Sequence, residues 1–266
     1  MPLAVAVAVV VAAFLVAPVL VVVPMSFSTA VSFEFPPPGY GVGYYRQYFT
    51  DPRWLLPTAN SFVIAGATTI VTLVLAIPAA FAMARHRFRG KTAANLLLTA
   101  PLVIPLVVSA VAYYGFFARL GLAGTRSGMV LAHTALSLPV ALLCVAAGLK
   151  GFDRNLERAA MSAGAGPFRT FWWVTLPVLR PAILVGGLFA FLHSFDETVV
   201  ALFIAGRDAT TLPKKMFESV RLEADPVISV VSTLLFAAVV AGGLVAFGMA
   251  RRTRTREDRS SISTRS

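Results

Sequence analysis

Apolar residues dominate this chain in long runs, and short polar segments separate them. Six runs stand out, at 3–25, 60–84, 95–117, 128–149, 182–205 and 228–250. A helix needs about 20 mostly apolar residues to cross a bilayer, so each run predicts one membrane-spanning helix. The first and last runs contain no Asp, Glu, Lys, Arg or His. The fourth contains only His133, and the fifth contains His193, Asp196 and Glu197. The first run is too long for the core of a signal peptide, and no basic segment precedes it. It is expected to remain as a span. The predicted fold class is all-α: a polytopic membrane protein with six transmembrane helices in one transmembrane domain, 1–250, and a basic tail, 251–266.

Composition agrees with that pattern. The 266 residues are 58% hydrophobic and 13% charged, with mean hydropathy +0.79. A soluble domain is about 45–50% apolar and about 25% charged, so an ordinary cytosolic enzyme and a disordered chain are both excluded. The formal net charge of +11 would suggest nucleic acid if it were spread evenly. It is not. Segments 84–95 and 150–181 and the tail carry 15 basic residues, the alternate loops carry 8, and no span carries any. Positive charge is retained in the cytoplasm, which places both termini inside. The charge is thus a topology signal, and no nucleic-acid partner is expected.

Several chemistries drop out. A single cysteine, Cys144, excludes a disulfide framework and Cys-based zinc sites. His86, His133 and His193 are far apart and lack ligand spacing, so no metal is expected. Gly90-Lys91-Thr92 spells the end of a Walker A motif, but Arg85 stands where its first glycine belongs. No Gly-x-Ser-x-Gly elbow is present. No catalytic residue is assigned and the chain is not expected to be an enzyme. Tyr44, Tyr45, Tyr48, Phe49 and Trp54 in the Pro/Gly-punctuated segment 26–59 are expected to cap the outer membrane–water interface.

Asp196 and Glu197 are the only charges within a predicted span. A carboxylate at mid-depth costs about 2.5–3.5 kcal/mol on insertion scales. Such groups usually face a bundle interior or a watery path. His193 precedes them by three and four residues, so all three are expected to share a helix face. Two readings stand side by side: an acidic path for a cationic solute, or pairing that holds helices together. Pro78, Pro101, Pro105 and Pro139 also lie in predicted spans, where they would permit kinks or line a cavity.

Segment 150–181 reads KGFDRNLERAAMSAGAGPFRTFWWVTLPVLRPA. Asp153 or Asn155 is placed to cap a helix, with Leu156, Ala159, Ala160 and Ala163 near one face. Gly164 and Gly166-Pro167 end it, and a second short helix, 168–174, leads into the fifth span. The physics alone fits either a protein-docking element or an amphipathic hairpin on the lipid.

The same segment resembles the EAA loop of binding-protein-dependent ABC importer permeases. Arg158-Ala159-Ala160, Gly164 and Val174-Thr175-Leu176-Pro177 match that pattern in spacing. Arg158 stands for the usual Glu, although Glu157 precedes it, and Val174 stands for Ile. Arg87-Phe88-Arg89-Gly90-Lys91, followed by Pro101 and Ile104-Pro105, resembles the corresponding segment of the same family, and the stretches SFDETVVALFIAG and TLPKKMFESVRLEADPVISVVSTLL are similar to the permeases of polyamine-type importers. The usual basic cap is missing at the N-terminus, so by resemblance the start would lie upstream.

The resemblance implies a MetI-like, type I half-pore in a bacterial inner membrane. It implies transport of polyamines, spermidine or putrescine, or of another small cation. An amino-acid-like or opine-type solute is the alternative, and a cation- or proton-coupled secondary transporter is the rival class. Glu157, Arg158, Ala159, Ala160, Gly164, Leu176 and Pro177 would couple to an ATPase subunit dimer, and His193, Asp196 and Glu197 would line the substrate path. The other implied partners are a second permease, a periplasmic or lipid-anchored solute-binding protein, and membrane lipid. No cofactor is implied here, because ATP would be bound by the ATPase.

Overall fold

The computed structural model describes the backbone of residues 2–263 and the side chains of 5–248 other than Ala12, Leu15, Glu223, Ala246 and Phe247. The basic side chains of the tail 251–266 lie outside the described residues. In chain order the helices are α1 (Pro2–Ser26), α2 (Gly43–Thr50), α3 (Pro52–Arg85), α4 (Lys91–Thr99), α5 (Leu106–Arg119), α6 (Arg126–Lys150), α7 (Asn155–Ser162), α8 (Pro167–Thr170), α9 (Leu176–Asp196), α10 (Val199–Ile204), α11 (Leu212–Glu218) and α12 (Val227–Ser263). Among the described residues no strand forms.

Five helices are long and apolar enough to span a membrane, and a sixth candidate is the bent pair of α4 and α5. That pair breaks the predicted third span, and the second arm is bent by 105° from the first. Pro101 sits in a single 3₁₀ turn, Ala100–Leu102, and Pro105 adopts an extended conformation at the start of α5. Proline offers no N–H and disfavours helix at the residue before it, so two of them four residues apart stop and re-aim the chain. Pro78 and Pro139 lie inside the continuous α3 and α6.

The predicted fifth span is also corrected. It does not begin near 182. A π-helical turn, Phe171–Thr175, joins α8 to α9, so one helical rod runs over Pro167–Asp196. It does not continue to 205, because Glu197 turns extended, with φ −71° and ψ 107°.

The chain divides into two compact units, 1–52 with 218–266, and 53–217. In the first, α1 packs on α12, and α2 also contacts α12. The Tyr45 and Ser26 hydroxyls lie 2.9 Å apart, and the Phe27 and Tyr45 rings are 5.0 Å apart. The Tyr44 hydroxyl donates to the Ala30 carbonyl, and Tyr48 is buried. These hydroxyls tie α2 to the end of α1 through Tyr45 and to the loop after it through Tyr44. Phe49 stays exposed.

The second unit is built on α6 against α9. A methyl group on Gly148 would lie 2.5 Å from Ala182 Cβ, and one on Gly186 would lie 3.4 Å from the Ala141 carbonyl. Small residues let the two backbones approach closely, which is how spans associate where lipid removes the hydrophobic drive. His133 Nδ1 and Ser194 Oγ, 2.8 Å apart, tie the same pair of helices. One apolar cluster gathers Ile64, Phe117, Met129, Leu136, Val200 and Ile204. A second gathers Ala80, Leu142, Val145, Leu149, Phe152 and Leu179. Trp54, from the segment expected at the interface, is fully buried in this unit.

Candidate functional site

Two places carry the predicted site residues: loop 150–181, and the stretch around Asp196. In the loop, Asp153 Oδ1 accepts from the Asn155 N–H at 2.9 Å and starts α7. Glu157 in the first turn complements the helix dipole. At the other end Gly164 sits at φ +88°, the left-handed region that suits glycine. The Gly164 N–H donates to the Met161 carbonyl and the Ala165 N–H to the Ala160 carbonyl, both at 3.0 Å. These two bonds make a Schellman motif, so the glycine break expected from sequence has a defined geometry.

The face of α7 made by Leu156, Ala159 and Ala163 is exposed, and Ala160 is half-buried. Arg158 is exposed too. The inward position belongs to Glu157. Its Oε1 accepts from Arg85 Nη2 at 2.9 Å and from the Thr175 hydroxyl. Burial pushes the Glu157 carboxyl up, but hydrogen bonds from Arg85 and Thr175, with the charges of Arg85 and Arg154, outweigh it and hold it below its ordinary value. The stabilisation from this pair is complete at neutral pH and is lost as pH falls through the lowered value. Leu176 and Pro177 are half-buried in the first turn of α9 rather than displayed beside α7.

Arg85 and Thr175 are site residues that the sequence pattern did not single out. Arg85 looked like one of several loop arginines, and Thr175 like a spacer within Val-Thr-Leu-Pro. The available signal was position: Arg85 directly follows an apolar run.

Around Asp196 the structure separates what the sequence placed together. Asp196 ends α9, and Glu197 lies outside it, so His193, Asp196 and Glu197 do not share a helix face. His193 and Asp196 are exposed. Glu197 is buried, and its Oε1 accepts the Val200 N–H at 2.9 Å at the start of α10. A carboxylate three residues ahead of a free helical N–H acts as a cap, which is the physical reason the helix breaks here. Asp196 is the last residue of the helical rod Pro167–Asp196.

Replacing Glu197 with alanine should therefore lower the unfolding midpoint in detergent, by the roughly 1 kcal/mol typical of a lost cap. Glutamine keeps an accepting oxygen and should cost less. A larger loss with glutamine than with alanine would rule out the cap.

The chain beyond α10 is pinned to α3 and to the turn before α6. Asn60 Nδ2 donates to the Asp208 and Thr210 carbonyls at 3.0 Å each, and the Ser61 hydroxyl accepts the Leu212 N–H at 2.8 Å. The Gly124 N–H donates to the Ile204 carbonyl at 2.9 Å. Phe62, Phe191 and Phe195 form a ring cluster on α3 and α9 with centroids 5.1–6.3 Å apart. Lys91 Nζ donates to the His86 carbonyl at 3.2 Å, so the Gly-Lys-Thr lysine has a local structural contact.

Residues 73–256 match the family described as binding-protein-dependent transport system inner membrane component. Along the chain, 251 residues are 34% identical to the putrescine transport system permease protein PotI of Escherichia coli K12, covering 91% of this chain and 89% of that protein. The spermidine/putrescine transport system permease protein PotC of Haemophilus influenzae is 29% identical over 230 residues, 85% of this chain and 88% of that one. In structure, a chain of a bacterial ABC transporter that imports the acidic polysaccharide alginate superposes with TM-score 0.74 at 15% identity, over 92% of this chain and 96% of that one. That likeness establishes the fold.

Proposed function

This chain belongs to the family of binding-protein-dependent transport system inner membrane components, and from that membership we propose that it is the permease subunit of an ATP-driven importer of polyamines, putrescine or spermidine. It is a multi-pass protein of the inner membrane. The observation that carries the substrate class is the 34% identity to a putrescine permease across nearly the full length of both chains.

The chemistry around Asp196 supports a cation. The C-terminal end of a helix carries partial negative charge, and exposed Asp196 adds a full one. Helix ends of this polarity coordinate cations in transporters. A proton relay through His193, Asp196 and Glu197 is disfavoured, because Glu197 is committed to the Val200 N–H.

The 150–181 loop would lie in the cytoplasm with both termini. The exposed face of α7, with Phe168 and Trp173 beyond it, would fit an ATPase subunit. A second permease would complete the pore, and a solute-binding protein would deliver the polyamine from outside.

Reconstitution with the ATPase, second permease and binding protein tests this. Putrescine uptake should require both ATP and the binding protein. Asp196→Asn should lower uptake about tenfold, the scale of one charge-assisted contact. ATP-driven uptake of a different solute with none of putrescine or spermidine would overturn the substrate class.

A further inference from the structure

A docked helix moves the spans only if something holds it to them. α7 joins α6 through residues 151–154 and α8 through 163–166. Gly151, Gly164 and Gly166 lie in these links, and at Gly164 and Gly166 no atom lies within 4 Å of where a Cβ would sit. These turns set the direction of α7, but they do not hold its side against a span.

A lateral hold compensates. Among the described residues, Glu157 is the one α7 side chain hydrogen-bonded to another helix. Its Oε1 takes the Arg85 guanidinium from the last residue of α3 and the Thr175 hydroxyl from the residue before α9. The pair is largely sheltered, with side-chain exposures of 21% for Arg85 and 13% for Glu157. The Arg85 guanidinium is further fixed over the Phe81 ring at 4.6 Å and beside Phe152 at 5.7 Å. Phe81 in turn meets Phe171 edge to face at 5.5 Å. A planar guanidinium stacked on rings and bonded to a carboxylate is a stiff joint.

We propose that Arg85 and Thr175 are positioning residues that clamp the coupling helix to the ends of α3 and α9, so that movement of the loop turns these two spans together. The clamp rests on the importer function proposed above. It adds a second route for the stroke: through Glu157 into α3, a span that does not adjoin α7 along the chain.

Two measurements test it. In the reconstituted importer, ATP hydrolysed per solute taken up should rise about tenfold in Arg85→Glu and in Glu157→Arg, the scale of a charge-assisted hydrogen bond. Thr175→Val should raise it about threefold. The Arg85→Glu/Glu157→Arg double variant should return to within about threefold of wild type, since it restores the pair but not the ring contacts. A residue that serves folding alone would lower the amount of importer and leave that ratio unchanged.

The second measurement needs no transport. A nitroxide at Met161→Cys, in a Cys144→Ser background of the full chain, should become more mobile with Arg85→Gln. Failure of the importer function would abolish uptake in wild type while this spectral response persisted. Failure of the clamp would leave uptake intact, with both the ratio and the spectrum unaffected by the variants.

Discussion

Gly206→Val should cost the second unit on the order of 3 kcal/mol or more, the upper range for overpacking. A Cβ at Gly206 would lie 2.8 Å from both the Cα and the carbonyl oxygen of Gly124. Neither is the movable tip of a flexible side chain. Gly124 holds φ +82°, and its N–H is already given to the Ile204 carbonyl. Asn60, Ser61 and Arg126 bond the segment just beyond, so the crossing cannot open without breaking polar contacts in a largely apolar setting. Breaking them leaves buried groups unsatisfied.

Gly66→Ala is the matched control. Nothing lies within 4 Å of its Cβ position, and alanine favours helix over glycine by up to about 1 kcal/mol. Thermal unfolding in detergent should separate the two variants clearly. Equal midpoints would show that the Gly124–Gly206 approach does not constrain the fold.

That crossing illustrates what the sequence could and could not carry. The spans were legible because a bilayer imposes length and apolarity on each residue run separately. The bend between α4 and α5 was half legible: Pro101 and Pro105 announced a kink, but 105° is set by Pro105 turning extended. The break after Asp196 was hidden. SFDETVV reads as helix with an acidic pair, and only the bond from Val200 to Glu197 shows that one acid is structural. Nothing local in the sequence marks Gly206, because its partner Gly124 lies 82 residues away. The loop spacing from Arg158 to Pro177 was legible in one dimension. Its inward contact was not, because Arg85, Glu157 and Thr175 come from three separate elements.

Gly164→Pro should abolish coupled uptake, to below about a tenth of wild type, while leaving the amount of chain in the membrane unchanged. Proline fixes φ near −65°, whereas Gly164 sits at +88°. It also removes the N–H that bonds the Met161 carbonyl. The Schellman turn is then lost, and α7 leaves its end in a different direction toward Pro167 and the rod of α9. Folding of the spans should not notice, since Gly164 is exposed and nothing lies within 4 Å of its Cβ position.

Gly164→Ala grades the effect. Alanine keeps the N–H and costs about 1–2 kcal/mol in the left-handed region, so uptake should fall partway. The order glycine, alanine, proline in both uptake and solute-stimulated ATP hydrolysis is the signature of a turn that aims the helix. Normal uptake in the proline variant would remove loop 150–181 from the coupling path, and with it the reason for holding Glu157 so firmly against Arg85.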